Sequence, residues 1–112
     1  AYARIMTILS KNDLPLNDYD LSLLDQEDEI KLIYKLIEFK EIIIKIAKDM
    51  EPQILATYLL ELASMFHKYY AKNRVINDNQ ELSKSRLVFI QSISIVIKNC
   101  LKILGISSPK KM

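Results

Sequence analysis

The scarcity of chain-turning residues constrains this sequence most. Its 112 residues include one glycine, Gly105, and three prolines, Pro15, Pro52 and Pro109. Sandwiches and barrels reverse direction every few residues and consume turn formers each time, so a chain this poor in them is predicted to be built from long helices. Half the residues are hydrophobic and 27% are charged, a globular composition. The length suffices to close one hydrophobic core. The fold class predicted is all-α, a bundle of four or five helices forming a single domain over residues 1–112. Lys or Glu interrupts every apolar run short of the ~20 residues that a membrane span needs. No secretory signal pattern is read at the start, and the lone Cys100 leaves no internal disulfide and fits a reducing compartment.

Apolar spacing divides the chain. Ile5, Ile8 and Leu9 fall at helical intervals within the first eleven residues, which read as the tail of a helix continuing from upstream. Residues 12–24 read as a loop tied to the core by Leu14, Leu16, Leu21, Leu23 and Leu24. Asp25 is the expected N-cap of the next helix, with Glu27, Asp28 and Glu29 placed where the helix dipole favours negative charge. Leu32, Leu36, Phe39, Ile43, Ile46 and Met50 form its apolar stripe, and Ile30, Ile33, Ile37 and Ile44 a second row that widens it. Either one helix runs to about Lys48 or two meet near Phe39-Lys40. Pro52 suits the first position of a helix carrying Leu55, Leu59, Leu62, Phe66 and Tyr69 to about Lys72. A polar connection follows over 73–82, with Val75 and Ile76 turned inward. The last helix is expected from near Ser83, with Leu87, Ile90, Ile93, Ile97, Cys100, Leu101 and Leu104 inward. Gly105 is its expected left-handed C-cap, Ile106 folds back and Pro109 prevents resumption. Residues 105–112 form the C-terminal tail.

Charge is unevenly distributed. Residues 1–12 carry Arg4 and Lys11 and no acid, and residues 82–112 carry Lys84, Arg86, Lys98, Lys102, Lys110 and Lys111 and no acid. All 14 acids lie between, against eight Lys and Arg. Two basic ends around an acidic middle fit an anionic partner if the ends meet in space; solvated helix faces are the plainer explanation.

Little supports catalysis. Nucleophilic chemistry needs a base beside the nucleophile, yet His67 and Cys100 stand alone in their kind and on different predicted helices. One His and one Cys do not make a zinc site, and one Gly does not make a phosphate loop. Cys100 reads as a small core residue. The run from Phe66 to Arg74 does interleave aromatics with cations, the pattern by which unpaired bases are stacked and their phosphates tracked. Phe66 reads as core, whereas Tyr70 falls off the stripe and is the candidate platform.

The end of the chain then adds a resemblance. Arg86-Leu87, Lys98-Asn99, Leu101-Lys102-Ile103-Leu104-Gly105-Ile106, Pro109 and Met112 resemble the close of arginyl-tRNA synthetases. Ala1-Tyr2-Ala3-Arg4-Ile5, Leu21-Ser22-Leu23-Leu24, Glu51-Pro52 with Leu55-Ala56-Tyr58-Leu59-Glu61-Leu62-Ala63, and Phe66 through Arg74 are similar to four further stretches of that family in the same order. The resemblance covers essentially the whole chain. It implies the helical anticodon-binding domain named for the sequence Asp-Ala-Leu-Arg. In a class I parent enzyme this domain would hold the anticodon loop of arginine tRNA, while a catalytic domain elsewhere in the same chain joins arginine to that tRNA with ATP and magnesium. No cofactor and no catalytic residue is expected within these 112 residues. A cytoplasmic monomer without membrane contact is implied.

Carried over by position, the family's pocket falls on Tyr2, Arg4 and Ile8, on Tyr70 and Arg74, and on Lys110, Lys111 and Met112. The implied roles are a stacking platform for Tyr70 and a stacking or phosphate contact for Arg74. Arg4, Lys110 and Lys111 become phosphate contacts, and the Met112 carboxylate lies near the bases. Arginine anticodons share a middle cytosine, whose amino group a carbonyl or carboxylate can read. His67 stands where the family usually has Asn, Cys100 where Gly is common and Lys40 where Pro is frequent. Two alternatives remain: the related helical domain of another synthetase, such as the cysteinyl or glycyl enzyme, and a helical protein-interaction module with a large exposed apolar patch.

Overall fold

A computed structural model describes residues 1–12, 14–16 and 19–105. These form four α-helices, α1 Tyr2–Ser10, α2 Glu27–Asp49, α3 Gln53–Lys72 and α4 Gln80–Ile103, with a short 3-10 turn at Leu21–Leu23. α2 and α3 pair as a hairpin, α1 packs on α4, and α4 closes against α3. The core is Ile5, Leu32, Leu55, Tyr58, Leu62, Phe66, Tyr69, Leu87, Ile90, Ile93, Ile97 and Cys100, all buried. α2 runs unbroken through Phe39-Lys40, so a single helix fills the stretch where a break was open.

Several local expectations need correction, each for a physical reason. The N-cap of α2 is Gln26, one residue beyond Asp25. Glu29 lies three residues after Gln26, and its Oε1 accepts the Gln26 N–H at 3.1 Å, the reach-back that fixes the first turn. Asp25 instead accepts from the Gln26 side chain. α4 starts at Gln80, before Ser83, because the Asn79 side chain accepts the Leu82 N–H. Pro52 precedes the first residue of α3 in helical conformation. Leu21 in the 3-10 turn and Ile76 after α3 are exposed rather than inward. Gly105 has φ +75°, the left-handed stop expected of it. Ile106 and Pro109 lie outside the described residues.

Of the second apolar row on α2, Ile33 packs against the core, whereas Ile30, Ile37 and Ile44 do not widen the core face. Ile30, Ile37 and Ile44 recur every seven residues, so on a 3.6-residue helix they share one side, opposite Leu32, Leu36 and Phe39. Ile37 is 64% exposed and the neighbouring Tyr34 69%. Met50, expected to end the inner stripe, is 83% exposed and terminates α2 at φ 54°.

Polar groups also hold the bundle. Glu29 and Arg86 are buried, with Arg86 Nε 2.8 Å from Glu29 Oε2. The Tyr69 hydroxyl donates to the same Glu29 oxygen at 2.6 Å, so α2, α3 and α4 meet at one carboxylate. Burial first, and then the bond to Glu29, push the Tyr69 phenol above its ordinary value. Further along the hairpin, Tyr58 donates to the Lys35 carbonyl and Lys35 Nζ sits 2.6 Å from Glu61. No described helix is long and apolar enough to cross a membrane.

Candidate nucleic-acid interface

One face of α1 and the end of α3 enclose a groove of about 780 Å³. α1 contributes Ala3, Arg4, Thr7, Ile8 and, just past its end, Lys11. Spacings of three and four residues place these on a single helix face. The opposite wall is Tyr70 and the segment Asn73, Arg74, Val75 and Ile76. Arg4, Lys11 and Arg74 are exposed cations, and no acid lines the groove. None of the three forms a salt bridge among the described residues. The Arg4 guanidinium carbon lies 5.2 Å from the Tyr70 ring centre, a cation–π contact. Phe66, one turn before Tyr70, stacks on it at 5.9 Å with 22° between planes.

The wall after α3 is braced by polar side chains. Asn73 adopts an extended conformation, and both its backbone N–H and its Nδ2 donate to the Tyr69 carbonyl. The Arg74 carbonyl accepts from Asn77 Nδ2 at 3.2 Å and from Arg86 Nη1 at 2.9 Å. Ser83 Oγ accepts the Asn77 N–H and donates to the Asn77 carbonyl, pinning the connection to α4. Val75 is buried beneath, while the Arg74 side chain points into solvent at the groove.

The residues singled out in the sequence divide into three groups. Arg4, Ile8, Tyr70 and Arg74 do come together around this groove. Tyr2 is half-buried against the core and is not among its walls. Lys110, Lys111 and Met112 lie outside the described residues. Asn73, Val75 and Ile76 line the groove beside Arg74, and Ala3, Thr7 and Lys11 join it from α1, where the i, i+4, i+7 relation of Arg4 to Ile8 and Lys11 is the signal in the sequence. Arg86, counted with the basic C-terminal end, is consumed by the buried pair with Glu29. His67 is exposed, and Cys100 is buried, with its thiol pushed up to about 11 by burial. Among the described residues no group of His, Cys, Asp and Glu is arranged to hold a metal.

A four-helix bundle with a cationic groove walled by a tyrosine defines a helical domain suited to a planar, anionic ligand. The chain belongs to the DALR anticodon binding domain family, whose sequence profile matches residues 1–112. It is 41% identical over its whole length to an arginine–tRNA ligase of Carboxydothermus hydrogenoformans, and 38% identical to one of Desulforamulus reducens. It spans about a fifth of the length of these relatives, 21% in each case. The fold superimposes on the crystal structure of arginyl-tRNA synthetase from Plasmodium falciparum with a TM-score of 0.84 and 29% identity, covering 99% of this chain and 20% of that one.

Proposed function

We propose that this chain is the anticodon-binding part of an arginine–tRNA ligase and that the groove between α1 and the end of α3 receives the unpaired anticodon loop of arginine tRNA. The observation that carries the reading is the convergence of Arg4, Tyr70 and Arg74 on one acid-free groove in a chain of this family. Unpaired bases bind by stacking on aromatic and guanidinium planes while cations follow the phosphates. Phe66 behind Tyr70 supports the ring against displacement. Arg4 covers Tyr70 in the free chain; on binding it moves from the ring to a phosphate and frees the platform for a base. Arg74 takes a second phosphate. The tail residues Lys110, Lys111 and Met112 complete the site, with the Met112 carboxylate near the bases, and Tyr2 supports α1 from the core side.

The parent enzyme on this reading ligates arginine to its tRNA in the cytoplasm, as a monomer, with the catalytic domain in the same polypeptide. ATP and magnesium belong to that other part.

The test is a fluorescence-anisotropy titration of an arginine-tRNA anticodon stem-loop at low salt. Tyr70→Ala weakens binding by roughly tenfold or more, the worth of one stacked base. Equal affinity of wild type and Tyr70→Ala removes Tyr70 as the platform.

A further inference from the structure

We propose that Arg86 is a positioning residue for RNA binding. Its hydrogen bond to the Arg74 carbonyl holds the wall Asn73–Ile76 in the register that accepts the anticodon loop. The inference rests on the groove reading above.

Arg86 is 7% exposed and does not line the groove, so it does not reach RNA itself. Its guanidinium divides its bonds between two places. Nε donates to Glu29 Oε2 at 2.8 Å, and Nη1 donates to the Arg74 carbonyl at 2.9 Å. Glu29 is held in turn by the Gln26 N–H on Oε1 and the Tyr69 hydroxyl on Oε2. The guanidinium is thus fixed by α2 and α3 while it grips the first turnless stretch after α3. Arg74, whose backbone it holds, carries one of the groove cations, and Tyr70 stands one turn earlier. A stacking and phosphate site works only when platform and cation keep their separation, so the anchor of this backbone sets the site's geometry.

Lysine cannot copy the arrangement. Its donors radiate from a single nitrogen, whereas a guanidinium presents a planar fork that spans two acceptors. Arg86→Lys therefore keeps a positive charge beside Glu29 and gives up the Arg74 carbonyl. Tyr69→Phe is the control, because it loosens Glu29 without touching the groove wall.

Stem-loop titrations over a range of salt concentrations, with the helical circular dichroism of each variant, test the proposal. Arg86→Lys is expected to bind the arginine-tRNA anticodon stem-loop at least roughly tenfold more weakly, the loss of one hydrogen bond to a charged donor. Its salt slope stays that of wild type. Tyr69→Phe is expected to melt earlier yet bind as wild type does. Should Arg86→Lys fail to fold, Glu29→Gln serves instead: it keeps an oxygen facing Arg86 and weakens binding in the same direction, by less. Wild-type affinity in the folded variant overturns the proposal. An equal loss in Tyr69→Phe does so too, because general loosening then explains it. No binding by wild type is a separate outcome: it refutes the groove reading and this inference with it.

Discussion

Arg86 Nε and Glu29 Oε2 lie 2.8 Å apart in the bundle interior, 57 residues apart in sequence, with Glu29 wholly shielded from solvent. Neither charge has water to fall back on. Removing one leaves the other buried and uncompensated, which costs about 3–5 kcal/mol. A domain of this size has roughly 5–15 kcal/mol in total. Arg86→Ala is therefore expected to lose most of its stability in urea unfolding, and Glu29→Ala likewise. A change below about 1 kcal/mol in either would show that the pair is dispensable.

The outward face of α2 provides the contrasting case. Tyr34 and Ile37 are large and apolar but exposed. Exposed positions away from caps and networks change stability by less than about 0.5 kcal/mol. Ile37→Lys is expected to leave the thermal midpoint where it is, whereas Leu32→Ala costs about 2–5 kcal/mol through the cavity it opens. Equal destabilisation by both would return Ile37 to the core.

These two cases show what sequence made legible. Helical periodicity located all the long helices, because apolar residues at three- and four-residue spacing dominate them. It misassigned Ile30, Ile37 and Ile44, since hydrophobicity alone does not say which of two apolar faces is covered. It also passed over Glu29 and Arg86, although both sit on core stripes: Glu29 three residues before Leu32, and Arg86 four before Ile90. Two opposite charges on facing apolar stripes were the available signal. α4 begins at Gln80, before the apolar periodicity does, because its start is set by the polar Asn79 cap on the Leu82 N–H rather than by an apolar residue. On the groove, the interleaved aromatics and cations point to Tyr70 and Arg74, the resemblance adds Arg4 and Ile8, and the helix spacing from Arg4 through Ile8 leads to Lys11.

Two backbone positions give opposite expectations. Met50 holds φ 54° without the freedom of glycine, so Met50→Gly is expected to stabilise the chain by about 1 kcal/mol. Gly105 already uses that freedom at φ +75°, with nothing nearby for a methyl group to meet. Gly105→Ala is expected to cost about 1 kcal/mol through the backbone alone. Differential scanning calorimetry of the pair checks both signs.

Alkali should unfold this domain through buried acids that resist ionisation. The Cys100 thiol is raised from 9.0 to about 11 by burial, so above pH 9 the unfolded chain binds fewer protons than the folded one. Stability is complete below pH 9 and falls as pH rises to about 11. Tyr69 and Tyr58, both raised by burial, extend the loss above pH 10. Urea midpoints measured from pH 8 to 11 are expected to decline, and Cys100→Ala to flatten the first part of that decline. A midpoint independent of pH across this range contradicts the assignment.

If the groove between α1 and α3 receives RNA, an amide chemical-shift titration of the labelled chain with an arginine-tRNA anticodon stem-loop locates the contact there. The largest changes are expected at Arg4, Thr7, Ile8, Lys11, Tyr70 and Asn73 to Ile76. The outward residues Tyr34, Ile37 and Ile44 stay still. Shifts confined to the outward face of α2, with the groove silent, would contradict it.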